Sequence, residues 1–540
     1  MRILTVAKMK ELESQADAHG VTYAMMMTRA GCGVGNLITR KFPGGGRALA
    51  LIGSGNNGGD ALVALRFLAE KGWQVAAYLV RPRNHNDPLI QSVAEVGGII
   101  HDGQKDQELT VLGQVLDQAT VWIDGVFGTG IQLPLKSDVS QVLGFIQKYR
   151  PRRYVVSVDC PSGVDCDSGE MAPETLAADM TVCMEAIKTG LLKLPAFGSV
   201  GELQVVNLEL PQEIQAIPAG EPQMTTIDDV ARLISPRALD AHKGTFGTTY
   251  IAAGSINFTG APWLAASAAY RSGAGLVTLA VPGGLHAALS GSLPEVTWLI
   301  LPDEMGVIAA EGVSTLLPEL KKASALLLGP GWGQEEPTAR FLSGLLGVHL
   351  HSGRSGMGFL KTESGGEKSE NQLPPLILDA DALKLLLKIP RWFEYLPPDT
   401  ILTPHPGEMS ILTGLSVVEI QADRWEIARK YARDWKCVVV LKGALSIIAS
   451  PDGRISIIPV ATPALARAGT GDVLAGLISG LRAQGMAAFD AAVAGAWIHA
   501  EAGLEAERNH GQAATVLARD VLETIRMILY RIYEYKKAGA

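Results

Sequence analysis

The feature that most constrains this chain is a short apolar segment that recurs along its length and is followed nearly every time by a loop of glycine and polar residues. Ala48–Ile52 precedes GSGNNGGD, for example, and Val438–Leu441 precedes KGALS. Apolar runs of this kind, bounded by turn residues, are typical of parallel strands that helices bury on both faces. The sequence therefore predicts an α/β fold built on parallel sheets.

The length of the chain, 540 residues and 57.1 kDa, exceeds what one hydrophobic core supports. A proline-spaced, irregular stretch at Glu209–Thr226 reads as a linker with little secondary structure. We expect a Rossmann-like parallel sheet with helices on both faces over 1-218 and a second α/β domain over 226-530. A stretch rich in Ser, Gly and Glu, His351–Gln372, is interpreted as a surface insertion in the second domain.

Composition excludes several classes of function. A net charge of −8 and a pI near 5.8, without a large basic face, argue against nucleic-acid binding. No apolar run approaches the roughly 20 residues of a membrane span, and the N-terminus lacks the apolar core of a signal peptide. The five cysteines are odd in number and scattered, which favours reduced core thiols. We therefore expect a cytoplasmic enzyme.

A glycine-rich loop, Gly53–Asp60, follows the predicted strand Ala48–Ile52 and precedes a helix predicted over Ala61–Lys71. Its GxGxxG spacing is that of a dinucleotide-binding turn. Two asparagines, however, occupy positions where backbone amides suffice, and the next predicted strand ends in Arg81 and Arg83 rather than in the acid that holds a ribose. An NAD-dependent dehydrogenase is therefore the weaker interpretation.

Two further predicted strands of this half end at aspartates, Asp124 and Asp159. Because the carboxyl ends of parallel strands share one edge of a sheet, the three loops meet around one crevice. The oxygen-bearing side chains brought there are Asn56, Asn57, Asp60, Asp124, Asp159 and Ser162. Each acid alone is explained as a turn former or helix cap. Together they indicate hard oxygen ligands suited to an alkali or alkaline-earth cation rather than to zinc.

The order GSGNNGGD, DGVFGTG and SVDCPSG resembles the NAD(P)H-hydrate epimerase domain over roughly residues 1 to 215. That family inverts C6 of hydrated NADH and NADPH, called NADHX and NADPHX. The resemblance implies a potassium ion held by Asn57, Asp124 and Ser162, and Asp159 is the candidate acid/base. It implies that the hydrated nucleotide contacts Asn56, Asn57, Gly58, Gly59, Asp60, Gly128, Thr129, Gly130, Ile131, Gln132, Leu133, Pro134 and Asp159.

The second half carries AGTGDVLAG at Ala468–Gly476, between an irregular segment and a predicted helix. Gly469, Thr470 and Gly471 thus supply the first, unpaired amides of a helix, an arrangement that suits a phosphate oxyanion. Asp472 would repel a phosphate unless it acts as a general base or holds a cation. The structural alternative is a glycine-rich turn with an N-capping aspartate.

Other predicted strands of this half lead into GPGWG, DADAL, PHPGE and KGALS. The loops carry Gly331, Gly333, Asp379, His405, Glu408 and Lys442. A series of such loops ending in GTGD resembles the ribokinase-like superfamily, so we expect a ribokinase-like α/β sandwich. Within it, HKGTFG, TPHPGE, LKGALS and ARAGTGDVLAG resemble the ADP-dependent NAD(P)H-hydrate dehydratase over roughly 226 to 525.

The resemblance implies two sets of contacts and makes Asp472 the catalytic base. ADP would contact Lys442, Gly443, Ala444, Leu445, Ser446, Gly469, Thr470 and Gly471. The hydrated nicotinamide would face Ala261, Gly331, His405 and Asp472. Ser446 stands where threonine is expected and keeps a hydroxyl. His405 is also explained as a turn cap, and Lys442 as a solvated strand end.

The two resemblances together predict a bifunctional repair enzyme that exchanges the R and S epimers of NADHX and NADPHX. It would dehydrate the S form at the expense of ADP, giving AMP and phosphate, with Mg²⁺ in this domain and K⁺ in the other. We expect small-molecule partners, no nucleic acid, no membrane, and a homo-oligomer. The alternatives are a ribokinase-type small-molecule kinase with a regulatory Rossmann domain, or an N-terminal dimerisation or RNA-binding scaffold, which the cation-site residues disfavour.

Overall fold

The computed structural model describes residues 1–84, 86–215, 220–348 and 371–539. The chain divides into two compact units, Met1–Glu221 and Pro222–Ala540. Most of the predicted surface insertion, residues 351–370, lies outside the described residues. No described helix combines the length and apolar character that crossing a bilayer requires. The five cysteines are free, and four of them are buried, as expected of reduced core thiols.

The first unit is a Rossmann-like sheet. Its strands are β1 (Ile3–Leu4), β2 (Arg47–Ile52), β3 (Gln74–Leu79), β4 (Ile99–Asp102), β5 (Val121–Gly125), β6 (Tyr154–Val158), β7 (Met180–Met184), β8 (Ile187–Lys188) and β9 (Glu202–Val206). Its helices are α1 (Val6–Ala18), α2 (Tyr23–Lys41), α3 (Asn56–Glu70), α4 (Pro88–Glu95), α5 (Thr110–Gln118), α6 (Ser137–Lys148) and α7 (Gln212–Gln215).

Seven strands form one parallel sheet in the order β4-β3-β2-β5-β6-β7-β9, and β1 pairs with β8 beside it. Buried apolar side chains cover both faces, one face packing against α1–α3 and the other against α5 and α6. The strand order reverses between β2 and β5, which opens a crevice at their carboxyl ends. The predicted parallel sheet with helices on both faces is confirmed.

Helix α3 begins at Asn56, so the prediction that it begins at Ala61 is wrong. The last two glycines of GSGNNGGD, Gly58 and Gly59, lie in its first turn, where they allow close packing. A Cβ atom on Gly58 would lie 2.2 Å from the carbonyl oxygen of Gly53, and one on Gly59 would lie 2.7 Å from Met27. The loop after β2 is therefore shorter than expected.

The second unit contains a larger sheet. Its strands are β10 (Gln223–Met224), β11 (Thr248–Ala252), β12 (Leu276–Pro282), β13 (Thr297–Leu301), β14 (Asp303–Glu304), β15 (Val307–Ile308), β16 (Ala325–Leu328), β17 (Leu376–Leu378), β18 (Ile401–Leu402), β19 (Val438–Leu441), β20 (Ile447–Ala449) and β21 (Ile455–Ile457). Its helices are α8 (Ile227–Leu233), α9 (Gly260–Arg271), α10 (Gly283–Leu289), α11 (Gly312–Leu316), α12 (Glu336–Leu345), α13 (Asp381–Leu385), α14 (Pro406–Thr413), α15 (Val417–Ala422), α16 (Arg424–Trp435), α17 (Thr470–Ala483), α18 (Ala488–His510) and α19 (Ala518–Gly539).

Ten strands form the sheet in the order β10-β21-β20-β19-β18-β17-β16-β11-β12-β13, and β14 pairs with β15. The ladders are parallel except where β20 pairs with β19 and β21. Helix α17 crosses α9 at close range, since a Cβ atom on Gly476 would lie 2.2 Å from the carbonyl oxygen of Ala265. This contact fixes the N-terminus of α17 at the carboxyl edge of the sheet.

The predicted linker Glu209–Thr226 is more ordered than its prolines indicate. It contains the short helix α7 and the strand β10, which adds in parallel to β21. The strand forms because Met224 is buried and Thr225 donates a 2.9 Å hydrogen bond to the carbonyl of Ile457. Residues 216–219 lie outside the described part. The prediction of little secondary structure is therefore wrong for the end of this segment.

Two candidate active sites

In the first unit, Asp124 at the end of β5 is fully buried. Its carboxylate accepts hydrogen bonds from the Ser162 hydroxyl at 2.5 Å, the Ser162 amide at 2.7 Å, the Ser157 hydroxyl at 3.2 Å and the Val126 amide at 3.3 Å. Burial raises the pKa of Asp124, and the bonds from Ser162 oppose the rise. Within the described ranges, no cationic side chain pairs with this carboxylate.

Asn57, in the first turn of α3, ties the three neighbouring loops together. Its side-chain amide donates to the carbonyls of Phe127 at 2.8 Å and Val158 at 2.9 Å. The Phe127 amide in turn donates to the Ser162 hydroxyl at 2.9 Å. The predicted cation ligands Asn57, Asp124 and Ser162 are thus part of one hydrogen-bonded network.

Asp159, directly after β6, is held by a buried lysine that the sequence did not point to. Lys188 is 1% exposed, and its ammonium donates to the Asp159 carboxylate and to the carbonyls of Met184 at 3.1 Å and Ala186 at 3.2 Å. Burial would lower the pKa of Lys188, but the charge and hydrogen bond of Asp159, together with the thiols of Cys183 and Cys166, outweigh burial and raise the pKa. A buried ammonium with a carboxylate partner therefore lies at this strand end.

Two further carboxyl groups interact with this pair. Asp60 lies on α3, one helical turn after Asn57, and Glu13 lies on α1. Burial raises the pKa of Asp60 well above its usual range, and the charges of Asp159 and Glu13 add to the effect. Burial also raises the pKa of Glu13, and Lys188 opposes the rise.

The remaining predicted contacts of this unit line the loops around the network. Gly128 lies against Asn57, since a Cβ atom there would be 3.1 Å from the Asn57 side-chain oxygen. Asn56 and Gly130 are exposed and Ile131 is buried. The other residues follow Gly128 in the same loop without regular structure, namely Thr129, Gln132, Leu133 and Pro134.

In the second unit, the N-terminus of α17 opens onto a cavity of about 400 Å³. Helix α17 begins at Thr470, with Gly469 as its cap at φ +90°. The predicted nucleotide contacts that line the cavity are Lys442, Gly443, Ala444, Ser446, Gly469, Thr470 and Gly471, and His405 lines it too. Leu445 is buried outside the lining and has φ +55°.

The side chain of Arg424 stabilises the loop that follows β19 by hydrogen bonds to its backbone. Its guanidinium donates to the carbonyls of Leu441 at 3.1 Å, Lys442 at 3.3 Å and Ala444 at 3.0 Å. Burial lowers the pKa of Arg424 to about 10. A Cβ atom on Gly443, which has φ +140°, would lie 2.9 Å from this guanidinium, so glycine is required there.

Lys442 is an ion-paired residue rather than a solvated strand end. Its ammonium lies 2.7 Å from the carboxylate of Asp379 and 3.6 Å from that of Glu408. Asp379 also accepts a 2.6 Å hydrogen bond from Thr403. Burial would lower the pKa of Lys442, but Asp379 and Glu408 outweigh it and raise the pKa.

His405 caps helix α14, the alternative that the sequence left open for it. Its Nδ1 accepts hydrogen bonds from the amides of Gly407 at 3.0 Å and Glu408 at 3.2 Å. Burial and the charge of Lys442 lower the pKa of His405. The side chain is therefore both a helix cap and part of the cavity wall.

Asp472 is not part of the cavity lining; it lies one residue beyond Gly471, on the side of Lys442 and Asp379. Burial raises the pKa of Asp472 to about 7, with Asp379 adding to the rise and Lys442 opposing it. The other predicted substrate contacts, Ala261 and Gly331, touch each other, because a Cβ atom on Gly331 would lie 2.8 Å from that of Ala261. Like Asp472, they lie outside the cavity lining.

The cavity also contains His499, which sequence reasoning missed. It lies on α18 between Ala496 and Ala500, and is 7% exposed. Burial lowers the pKa of His499 to about 4, so the ring is neutral at physiological pH. Its Nε2 has no hydrogen-bond partner within the described ranges. A buried ring nitrogen that lacks a partner in a cavity wall is a candidate ligand contact.

The first unit has a polar crevice where its strand order reverses, and the second has a cavity at a helix N-terminus. Together these features indicate a nucleotide-handling enzyme with two sites. A family model for the NAD(P)H-hydrate dehydratase matches residues 249–527, and one for the YjeF-related protein N-terminus matches residues 23–190. The chain therefore belongs to the family of bifunctional NAD(P)H-hydrate repair enzymes, as the resemblance predicted.

The relatives of the chain match it over nearly its full length. The bifunctional NAD(P)H-hydrate repair enzyme Nnr of Moorella thermoacetica is 34% identical over 99% of this chain and 98% of its own. That of Thermofilum pendens is 32% identical over 95% and 93%. The crystal structure of the ADP/ATP-dependent NAD(P)H-hydrate dehydratase from Bacillus subtilis, co-crystallised with ATP and Mg²⁺, is 28% identical and covers 59% of this chain and 100% of its own, with a TM-score of 0.47.

Proposed function

We propose that this chain repairs hydrated NADH and NADPH, with an epimerase domain over 1-218 and an ADP-dependent dehydratase domain over 226-530. The name of its full-length relatives, bifunctional NAD(P)H-hydrate repair enzyme, supports both activities. A dehydratase that accepts only the S epimer leaves the R epimer behind. An epimerase on the same chain converts the R epimer into the S epimer, so that one dehydration reaction repairs both.

The observation that carries the dehydratase proposal is the position of Asp472 directly after amides that line the cavity. ADP would bind along Lys442–Ser446, with its phosphates at the amides of Gly469–Gly471. Amides aimed at a developing phosphoryl charge stabilise it by about 3 kcal/mol for each well-placed donor. The neutral ring of His499 would contact the nucleoside part.

Asp472 would act as the general base toward the hydrated nicotinamide, which would lie against Ala261, Gly331 and His405. A carboxylate whose pKa is about 7 accepts a proton efficiently near neutral pH. As Asp472 takes the proton of the C6 hydroxyl, the terminal phosphoryl group of ADP passes to that oxygen and AMP leaves. Loss of phosphate from C6 and of a proton from C5 restores the dihydropyridine.

Mg²⁺ would enter with the ADP phosphates and neutralise their charge. The donors here favour this route over a resident metal site. Asp379 and Glu408 are already paired with Lys442, and the described ranges hold no group of three acidic, histidine or cysteine side chains able to bind a metal.

A potassium ion would bind at Asn57, Asp124 and Ser162 in the epimerase domain. The donors fit such an ion, because the fully buried carboxylate of Asp124 has no cationic partner within the described ranges and its neighbours are oxygen ligands. The ion would supply the missing positive charge and stiffen the three loops. The hydrated nucleotide would contact Asn56–Asp60, Gly128–Pro134 and Asp159.

The test supplies the full-length chain with a mixture of both NADHX epimers, ADP and Mg²⁺. We expect dihydronicotinamide absorbance to return until both epimers are consumed, with one phosphate and one AMP formed for each NADH. Parallel reactions with ATP and with NADPHX establish the preferred nucleotide and substrate. A stable phosphorylated product without NADH would instead indicate a small-molecule kinase and contradict the proposal.

A further inference from the structure

Among the described residues of the epimerase domain, the carboxyl groups near Lys188 outnumber the charges that this buried lysine can neutralise. The ammonium of Lys188 has three N–H donors, and Asp159, Met184 and Ala186 accept all three. The register of β8 against β1 places Lys188 opposite Leu4, at the start of the segment that leads into α1. No donor of Lys188 therefore remains for Glu13 or Asp60.

Asp159 is fixed in an unusual conformation at the centre of this cluster. Its backbone has φ +65°, in the left-handed region that side-chain-bearing residues rarely adopt. Its carboxylate accepts hydrogen bonds from Lys188 and from the Met184 amide, the latter at 3.1 Å. Both bonds fix the orientation of the Asp159 side chain.

Asp60 has the opposite environment. It lies one helical turn after Asn57, whose side chain bonds to the carbonyl of Val158, the residue next to Asp159. Within the described ranges no hydrogen bond reaches the Asp60 carboxylate. Burial, together with the charges of Asp159 and Glu13, raises its pKa well above the usual range, which favours the protonated form of Asp60. Neighbouring carboxyl groups that differ in this way form an acid and base pair.

We infer that Asp60 and Asp159 are the acid and the base that invert C6, and that Lys188 is the positioning residue that holds Asp159 ready. The inference rests on the proposed epimerase function and names the groups that perform it. It accounts for the aspartate at the end of GSGNNGGD, whose side chain has no hydrogen-bond or ion-pair partner in the described part of the chain.

The chemistry is a reversible opening of the hydrated ring. C6 carries both the hydroxyl group and the bond to N1. Asp159 takes the hydroxyl proton, the O–H electron pair forms a C6 carbonyl, and the C6–N1 electron pair moves to N1, which takes the proton of Asp60. Half a turn about the C5–C6 bond presents the other face of the carbonyl. N1 then adds back, and both protons return, so no oxidant or co-reactant is needed.

The main test measures exchange between purified R and S epimers of NADHX by the full-length chain without ADP. Asp60→Asn should lower kcat for exchange by roughly 100-fold or more, the range lost with a general acid. ADP-dependent dehydration of the S epimer by the same preparation is the internal control and should stay within twofold. Exchange within threefold of the wild-type rate, or a change in KM alone, would overturn the role of Asp60.

A second set of variants changes residues that interact with the proposed acid and base, beginning with Glu13. Glu13→Gln should keep the maximal rate but move the alkaline limb of the kcat profile to lower pH, because the charge of Glu13 raises the pKa of Asp60. Lys188→Met should lower kcat for exchange with little change in KM, because Asp159 loses the donor that holds its side chain in place. An unmoved alkaline limb in Glu13→Gln would contradict the coupling.

The other groups facing this cluster do not provide an alternative acid. The Cys160 thiol has its pKa raised by a hydrogen bond with Cys166 and by burial, and burial also raises the pKa of the Cys183 thiol. The charge of Lys10 acts on Glu13 and opposes the rise in its pKa. Cys160→Ala should therefore leave both limbs of the profile in place, and loss of the alkaline limb in this variant would overturn the assignment to Asp60.

The bond that breaks is tested with NADHX labelled with ¹⁸O at C6. Most of the label should remain after one inversion, because the C6–O bond stays intact. Replacement of most of the label by solvent oxygen would overturn ring opening. Failure of the wild-type chain to exchange the epimers at all would contradict the proposed epimerase function instead, so the two failures are distinguishable.

Discussion

Each unit places a lysine beside the aspartate proposed as its base, fully buried in the first unit and partly buried in the second, but the two lysines are used differently. Lys188 bonds directly to Asp159, and its remaining donors are taken by backbone carbonyls. Lys442 bonds instead to Asp379, 2.7 Å away, and leaves Asp472 without a direct ion pair within the described ranges. Asp159 thus has a direct ammonium partner, whereas burial raises the pKa of Asp472 to about 7.

The difference matches the two reactions proposed. Ring opening needs a base that is always ionised and a separate acid beside it. Phosphoryl transfer needs one base that takes a proton near neutral pH and does not repel the incoming phosphates. A carboxylate paired with lysine suits the first task, and a buried carboxylate with a raised pKa suits the second.

Among variants that keep both proposed bases, the largest effect is expected from Lys442→Met. The rate of dehydration should fall by roughly 100-fold or more, because the ADP phosphates lose a positive charge. The limb of the pH–rate profile that reports Asp472 should also move to higher pH. Lys442 opposes the rise in the pKa of Asp472, so its removal raises that pKa further. Asp379 and Glu408, left buried without a partner, should lower the free energy of unfolding by about 3 kcal/mol. Urea unfolding and the dehydration rate measure both effects, with epimer exchange as the control.

His499→Phe should raise KM for ADP by roughly 10-fold or more, because a ligand group loses the hydrogen bond of a buried ring nitrogen. Initial rates of dehydration at several ADP concentrations measure the change. His510→Phe is the matched control, since His510 is an exposed residue at the end of the same helix. An unchanged KM in His499→Phe would show that this nitrogen does not contact the nucleotide.

Asp379→Asn should move the pH limb of dehydration below about pH 7, because the charge of Asp379 raises the pKa of Asp472. Relative to the wild type, the variant should perform about threefold better at pH 6 than at pH 8. Asp381→Asn removes a weaker contributor and should move the limb in the same direction by less. A limb that stays at the wild-type pH in both variants would contradict the assignment of Asp472.

The smallest effect expected is that of potassium. Replacing choline chloride by potassium chloride should raise the thermal midpoint of the wild type by a few degrees, since an ion that binds only the folded chain stabilises it. Asp124→Asn should abolish the increment. Sodium chloride serves as the control for ionic strength. An equal increment in wild type and variant would place the ion elsewhere.

The sequence predicted the sheets and the strand-end loops because both depend on local patterns. The apolar runs define β2, β5, β6 and β19, and the glycine motifs follow them directly. The start of α3 was misplaced because its glycines are favoured by packing against Gly53 and Met27, which no local pattern reveals.

The missed residues share one property: each acts through a contact distant in the chain. Glu13 is one polar residue on an amphipathic helix, and nothing near it in the sequence indicates that it faces Asp159 and Lys188. The sequence around Lys188 shows only a lysine next to apolar residues. That this lysine is itself buried becomes visible only in the structure. His499 lies in an alanine-rich helix that reads as core, and only the fold places it beside the N-terminus of α17.

The central claim is that the two units carry separate active sites, with Asp472 as the base of one. The most direct test follows both NADHX epimers and NADH in one reaction of the full-length Asp472→Asn variant with ADP and Mg²⁺. The account predicts that the epimers still interconvert at the wild-type rate while NADH formation falls by roughly 1,000-fold. NADH formation close to the wild-type rate, or loss of both reactions in a folded variant, would contradict it.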